Sequence, residues 1–256
     1  MKLEEVKTIG VLGAGVMGGG IAQSLILAGH TVIVRDLTDE ICEKAKDTII
    51  NGRFGFKGGV ERGKQTQEEM DQALARLTFT TKVEDLKDCD LIIEAIGGGD
   101  TGQIEDKPLK FKVFTELDKI VKKDAVFATN TSMFTIADLA EVTERKDLFV
   151  GMHLFSPANI MKLVEVTYTQ DTSEETIKLI EDLSKSVDKT SVRVKDVPGD
   201  TGFIANRIFG AAAREAMTIV QEGIASAEDV DTAMMLGFRW PIGPLGMGVG
   251  ARAGWK

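Results

Sequence analysis

The 256-residue sequence predicts a doubly wound α/β fold: a mainly parallel sheet covered by helices, followed by a smaller all-α C-terminal domain. Three observations carry the prediction. Short β-branched runs alternate with helix-length segments through the first 200 residues. A GxGxxG tract stands between the first such run and the first helix. Past the segment VPGDTG at 197–202 the strand pattern gives way to helical periodicity.

Taken in order, TIGVLG (8–13), TVIVRD (31–36), LIIEAI (91–96) and AVFATN (125–130) read as strands, and 18–29, 39–51 and 111–122 read as helices. Next come LFVGMHLF (148–155), LVEVTYT (163–169) and SVRVKD (191–196), with a single helical stretch at 173–187 before the last. With fewer helices between these strands, the sheet is expected to change character there. The segment 51–66, NGRFGFKGGVERGKQT, is rich in glycine and basic residues and is expected to form a helical excursion or a loop. The Pro-Gly punctuation sets the domain boundary, giving 1–199 and 200–256. In the second part, Ser226 and Asp229 fit a capping box that opens a new helix.

Composition narrows the function classes. With 43% apolar residues the chain can bury a large core, and 31 basic against 40 acidic residues leave a net charge of −9. That balance disfavours nucleic acid and anionic membranes, so an anionic ligand needs a local basic patch. No run approaches the roughly 18 apolar residues of a membrane span. The opening MKLEE runs directly into a strand, so a secretory leader is not expected and a cytoplasmic location is. Cys42 and Cys89 show neither disulfide-framework nor metal spacing and read as two small apolar side chains; no metal site is expected.

Gly13, Gly15 and Gly18 have distinct physical duties. The first permits a tight turn, the second lets the backbone approach a pyrophosphate, and the third lets the helix pack close to the strand. The loop Gly13, Ala14, Gly15, Val16, Met17 and Gly18 thus predicts a Rossmann-type dinucleotide site, with the helix N-terminus facing the phosphates. Asp36 ends the second strand at the spacing of an acid that binds an adenosine ribose. Its carboxylate repels a 2′-phosphate, favouring NAD over NADP, while neighbouring Arg35 partly offsets that repulsion.

Of the two histidines, His30 follows the helix-ending Gly29 and reads as a capping or surface residue. His153 lies on a strand-like run, and Glu165 follows in the next, with Pro157 and Asn159 between them to turn the chain. Across paired strands the two could meet. Such a pair suits alcohol oxidation: a neutral imidazole takes the hydroxyl proton and a carboxylate fixes its tautomer. Read from the residues alone, Ser132 is a helix cap before MFTIADLA and Asn206 an early helix residue.

Five stretches together resemble the L-3-hydroxyacyl-CoA dehydrogenases, including bacterial 3-hydroxybutyryl-CoA dehydrogenases: GVLGAGVMGGGIAQ, NTS at 130–132, HLFSPANIMKLVEV, GFIANRIF and AMMLGFRWPIGPLG. The resemblance implies NAD as cofactor and an acyl-CoA substrate. It makes His153 the general base, Glu165 its orienting partner, and Ser132 and Asn206 substrate-contacting residues, with Lys110 (Lys112 a near alternative), Asn130, Ser132 and Ser156 on the cofactor side. It also implies a homodimer. For the CoA phosphates the local basic cluster is Lys57, Arg62 and Lys64, and Ser132 is counted with them as a contact to the CoA substrate. Three departures stand out. HLFSP replaces the family's HxFNP, so Ser156 stands for an asparagine. A longer excursion, GGGDTGQIEDKPLKF, follows IIEAI and brings Gly98 to the approximate position of a family glutamate, so that residue is not carried over. The helical domain is expected to be abbreviated. The competing readings are a related dehydrogenase acting on a free hydroxy or sugar acid, and a catalytically silent NAD-binding or structural homologue.

Overall fold

In the computed structural model, which describes residues 1–97, 105–197, 199 and 202–252, the chain divides into two compact units, Met1–Thr201 and Gly202–Lys256. The first is built on β1 (Thr8–Leu12), β2 (Thr31–Arg35), β3 (Leu77–Thr80), β4 (Leu91–Glu94), β5 (Val126–Thr129), β6 (Phe149–Leu154), β7 (Leu163–Tyr168) and β8 (Thr190–Lys195). Among the described residues these form one sheet in the order β3-β2-β1-β4-β5-β6-β7-β8. All neighbours are parallel except β6 and β7. The expected doubly wound, mainly parallel sheet is therefore present.

Strands β4, β5 and β6 are buried at every residue. That is why they read as unbroken apolar runs rather than alternating ones, since helices cover both faces of a parallel sheet. β3 has no such signature: four residues, LTFT, at the sheet edge and only half-buried, are too short and too mixed to stand out in sequence. Strand order reverses between β1 and β4, so the carboxyl ends of these two strands flank the crevice where such sheets bind ligands.

The helices begin where capping chemistry dictates. α1 (Val16–Leu27) opens at Gly15, ahead of its apolar periodicity, and ends before Gly29, whose φ of 97° lets His30 donate its N–H to the Leu25 carbonyl. α2 (Asp39–Asn51) is capped by Thr38. The 51–66 excursion contains α3 (Phe56–Glu61), and α4 (Gln67–Leu74) follows behind a reciprocal Thr66–Glu69 capping box. α5 (Lys107–Ile120) starts four residues earlier than the apolar pattern suggests. The Asp106 carboxylate accepts the Leu109 N–H at 2.9 Å and Pro108 suits the first turn. α6 (Ile136–Ala140) and α7 (Glu174–Ser186) complete this unit. Under the sheet, Phe114, Phe127 and Phe149 pack edge to face, and buried Arg145 lies over the Phe127 ring while pairing with Asp118 at 2.7 Å.

The second unit consists of α8 (Ala205–Gln221), α9 (Ala227–Phe238) and α10 (Pro244–Arg252), packed on one another. Ser226 accepts the Asp229 N–H at 3.1 Å and donates to its carboxylate at 2.6 Å, opening α9. Asp231 of α9 accepts the N–H groups of Leu245 and Gly246, tying α10 to it. In α8 and α9, Ile208, Met217, Leu236 and Phe238 are half or more exposed. Among the described residues no helix is long and apolar enough to cross a membrane.

Candidate active site

The glycine loop is held by the ends of two strands. Gly13, at a φ of 93°, donates its N–H to the Arg35 carbonyl, and a Cβ there would stand 2.7 Å from the Ala95 carbonyl oxygen. A Cβ on Gly18 would come within 1.7 Å of the Gly13 oxygen, so helix and turn could not approach as they do. Gly15 is different. Its φ is −67° and a Cβ would meet nothing within 4 Å, so nothing in the fold requires glycine there. The space it leaves open lies at the N-terminus of α1, where first-turn amides have no intrahelical acceptor. An anionic group fits this cradle. Asp36 lies at its edge, accepting the Ala14 N–H at 2.5 Å and the Leu37 N–H at 2.7 Å. The carboxylate thus braces the loop and retains lone pairs for ribose hydroxyls. Arg35 is half-buried, and its Nε is buried without a hydrogen-bond partner.

On the other side of the sheet's centre the chain turns back between β6 and β7, making them the antiparallel pair. Their register sets His153 directly opposite Glu165. His153 Nδ1 lies 2.6 Å from Glu165 Oε2, with both side chains almost wholly buried and the imidazole against the Phe155 ring at 4.6 Å. With Nδ1 bonded to a carboxylate, the tautomer that keeps a lone pair on Nε2 is favoured. The intervening turn is anchored elsewhere: the Asn159 amide donates to the Gln23 side chain and the Phe54 carbonyl, and Lys189 donates to the carbonyls of Ala158 and Met161. Burial lowers the Lys189 pKa below its ordinary value. Exposed Ser156 precedes Pro157 through a cis peptide bond. Asn130, at the end of β5, accepts the Leu154 N–H at 2.9 Å and so joins this corner to the parallel strands.

Between the two sides lies a cluster of buried charge. Lys110, 2% exposed, donates to Glu94 at 2.5 Å and to the Ile96 carbonyl at 3.1 Å, and stands 3.4 Å from Glu105. Glu105 accepts the Thr131 hydroxyl at 2.5 Å and both the N–H and the hydroxyl of Ser132, at 2.8 and 2.9 Å. Burial pushes the Glu105 carboxyl up, but the Lys110 ammonium and these hydrogen bonds outweigh it and hold the group below its ordinary value. Ser132 is consequently not a helix cap. Thr135 occupies the N-cap of α6, and the Ser132 hydroxyl turns to a carboxylate instead. Lys112 is exposed, so of the two lysines only Lys110 enters this cluster. Gly98 lies outside the described residues. Besides Glu94, the carboxylate near Lys110 is Glu105, which forward counting from β4 misses. Counting back from the lysine finds it, in the residue before the Asp106 cap of α5.

Lys57 and Lys64 are exposed around α3, and Arg62, its C-cap, folds its guanidinium back over Gly58. Asn206 belongs to the second unit, in the first turn of α8. His30 pairs with Ser186 at 3.0 Å on the surface. Cys42 and Cys89 are buried and unpaired, and burial pushes the Cys89 thiol up to about 12.

The sequence matches the model of the 3-hydroxyacyl-CoA dehydrogenase NAD binding domain over residues 8–197 and that of the 3-hydroxyacyl-CoA dehydrogenase C-terminal domain over 202–252. The chain belongs to this family. It is 39% identical to a 3-hydroxybutyryl-CoA dehydrogenase of Clostridioides difficile, covering 94% of this chain and 81% of that one. It is 38% identical to the human mitochondrial hydroxyacyl-coenzyme A dehydrogenase, covering 93% and 74%. A solved (S)-3-hydroxybutyryl-CoA dehydrogenase from Ralstonia eutropha superposes with a TM-score of 0.87 at 37% identity, covering 95% of this chain and 81% of that one. As a 3-hydroxyacyl-CoA dehydrogenase family member, the protein is an NAD-dependent oxidoreductase, and the open cradle at Gly15 suits that cofactor.

Proposed function

We propose that this family member oxidises an L-3-hydroxyacyl-CoA to the 3-oxoacyl-CoA, and catalyses the reverse, with His153 as general base and Glu165 as its orienting partner. The observation that carries the reading is the buried 2.6 Å contact between His153 Nδ1 and Glu165 across β6 and β7. The glycine loop from Gly13 to Gly18, with Asp36, would hold NAD, which supplies the hydride acceptor. His153 Nε2 takes the hydroxyl proton as the carbonyl forms, and Glu165 stabilises the resulting imidazolium. In the reverse direction the same nitrogen returns the proton. Ser132, its hydroxyl engaged by Glu105, would contact the substrate, and Asn206 is proposed separately as a substrate-contacting residue. Lys110, Asn130 and Ser156 would line the cofactor side.

Lys57, Arg62 and Lys64 support binding of the CoA phosphates, because an acidic protein needs a local cationic cluster to receive them. On this reading 1–199 is the NAD-binding domain and 200–256 the helical domain. The exposed apolar residues of α8 and α9 support a homodimer. We place the protein in the cytoplasm, in keeping with two unpaired cysteines.

The deciding experiment follows NADH formation across a panel of 3-hydroxyacyl-CoA esters and free hydroxy acids. Turnover confined to CoA esters is expected. Activity only with free acids would transfer the reading to the hydroxy-acid or sugar-acid dehydrogenases, and none with either would leave a silent NAD-binding homologue.

A further inference from the structure

Glu94 ends β4 with no exposed surface, and each of its carboxylate oxygens is engaged. One accepts the Lys110 ammonium at 2.5 Å and the Ile96 N–H at 2.7 Å, and the other accepts the Thr129 hydroxyl at 2.6 Å. Its donors come from three separate elements: the turn after β4, strand β5 and helix α5. A carboxylate held at this many points fixes where the ammonium can stand. Lys110 is the shared cation of two buried carboxylates, closer to Glu94 than to Glu105, which stands 3.4 Å away. The Glu105 oxygens are turned to Thr131 and Ser132.

We propose that Glu94 is a positioning residue of the active site: by holding Lys110 back from Glu105, it leaves Glu105 to fix the Ser132 hydroxyl in one orientation. The relay runs Glu94, Lys110, Glu105, Ser132, and its functional weight rests on the reading that Ser132 meets the substrate. Removing the charge on Glu94 leaves Glu105 as the sole charged partner of Lys110 within the cluster. The ammonium then closes on Glu105 and draws its oxygens away from Ser132. A merely structural Glu94 would act differently. The Ala95 carbonyl of the same turn packs against Gly13, so loss of structure at the end of β4 would disturb the glycine loop as well.

The test uses the full chain and Glu94→Gln, which keeps side-chain volume. Steady-state rates are measured for NADH oxidation by a 3-oxoacyl-CoA, and calorimetry gives the affinities for NAD and for ADP-ribose, which keeps the adenosine, the pyrophosphate and the second ribose and lacks only the nicotinamide. We expect turnover to fall about tenfold, the size of one lost hydrogen bond to a charged group, with ADP-ribose affinity within twofold of wild type. Adding Ser132→Ala to Glu94→Gln should cost little beyond Ser132→Ala alone, because residues along one relay are not additive. The proposal is overturned if Glu94→Gln turns over at the wild-type rate, if ADP-ribose binding falls in step with turnover, or if the two substitutions multiply. Should Glu94→Gln not fold, Thr129→Val removes one donor to the same carboxylate. It should then lower turnover several-fold with ADP-ribose binding retained, and an unchanged rate would equally overturn the proposal. Failure of the functional reading shows itself separately, as wild-type protein inert toward every 3-oxoacyl-CoA. In that case the relay is read from the two proteins' backbone amide NMR spectra, where Glu94→Gln should shift the Ser132 N–H resonance; an unmoved resonance would overturn the proposal.

Discussion

The glycine loop and the His153–Glu165 pair are built from opposite materials. At the loop the material is backbone: amides at a helix end, an open space at Gly15, and a single side chain, Asp36, that braces the turn. At β6 and β7 it is buried side chains, two ionisable groups matched by strand register and sealed from water. A site of backbone is sensitive to any added Cβ and indifferent to most side-chain chemistry, whereas one made of side chains has the reverse sensitivities. The two halves should therefore fail separately.

The largest separation is expected from His153→Gln. Losing the proton acceptor should lower kcat by about 10²- to 10⁴-fold while calorimetric NAD affinity stays within a few-fold. Glu165→Gln should also impair turnover, and the double variant should be little worse than the worse single one. Multiplicative losses would dissolve the pair as a unit, and a near wild-type kcat for His153→Gln would remove the histidine from the chemistry.

Two alanines sharpen the other half. Gly18→Ala forces a Cβ into the Gly13 carbonyl and should cost about 1–3 kcal/mol or more of stability, as overpacking does, seen as a lower urea midpoint. Gly15→Ala should leave that midpoint near wild type, since nothing surrounds the new methyl, yet weaken NAD binding by filling the space a pyrophosphate needs. Equal urea midpoints in the two variants would contradict the division of labour within the loop.

A smaller effect is expected from Asp36→Ala, which removes two braces of the loop and the charge proposed to face the ribose. The preference for NAD over NADP should narrow by about tenfold, and a ratio of kcat/KM values that does not move would displace Asp36 from that role.

The smallest concerns Glu105, whose folded pKa lies below its ordinary value of 4.5. Above 4.5 its contribution to stability is fully present. It is lost as pH falls from there through the lowered folded value, because the unfolded chain binds the proton first. Urea midpoints measured from pH 6 to pH 3 should therefore decline less steeply for Glu105→Gln than for wild type. Parallel slopes would show that the carboxyl gains nothing from Lys110 and Ser132 in the folded state.

The sequence by itself determined the parts that depend on near neighbours. The strand–glycine–helix order, the acid at Asp36 and the helix end at Gly29 are decided within a few tens of residues, by backbone conformations only glycine adopts easily and by the run of buried strands. It also nominated His153 and Glu165, because a short return between two strands makes their meeting geometrically natural. The register that sets the two opposite each other had to come from the sheet. The Glu94–Lys110–Glu105–Ser132 cluster was decided by tertiary structure alone. Its members come from a strand end, a helix, the residue before a cap and a loop, and no periodicity links them. Forward counting from β4 pointed to Gly98, because residues 97–104 alter the spacing while Glu105 and Lys110 stand on either side of the Asp106 cap of α5. Ser132 changed from an expected cap to a carboxylate partner for the same reason. A hydroxyl's local options are visible in sequence, but a buried acid drawn in from 27 residues away wins over them once water is excluded.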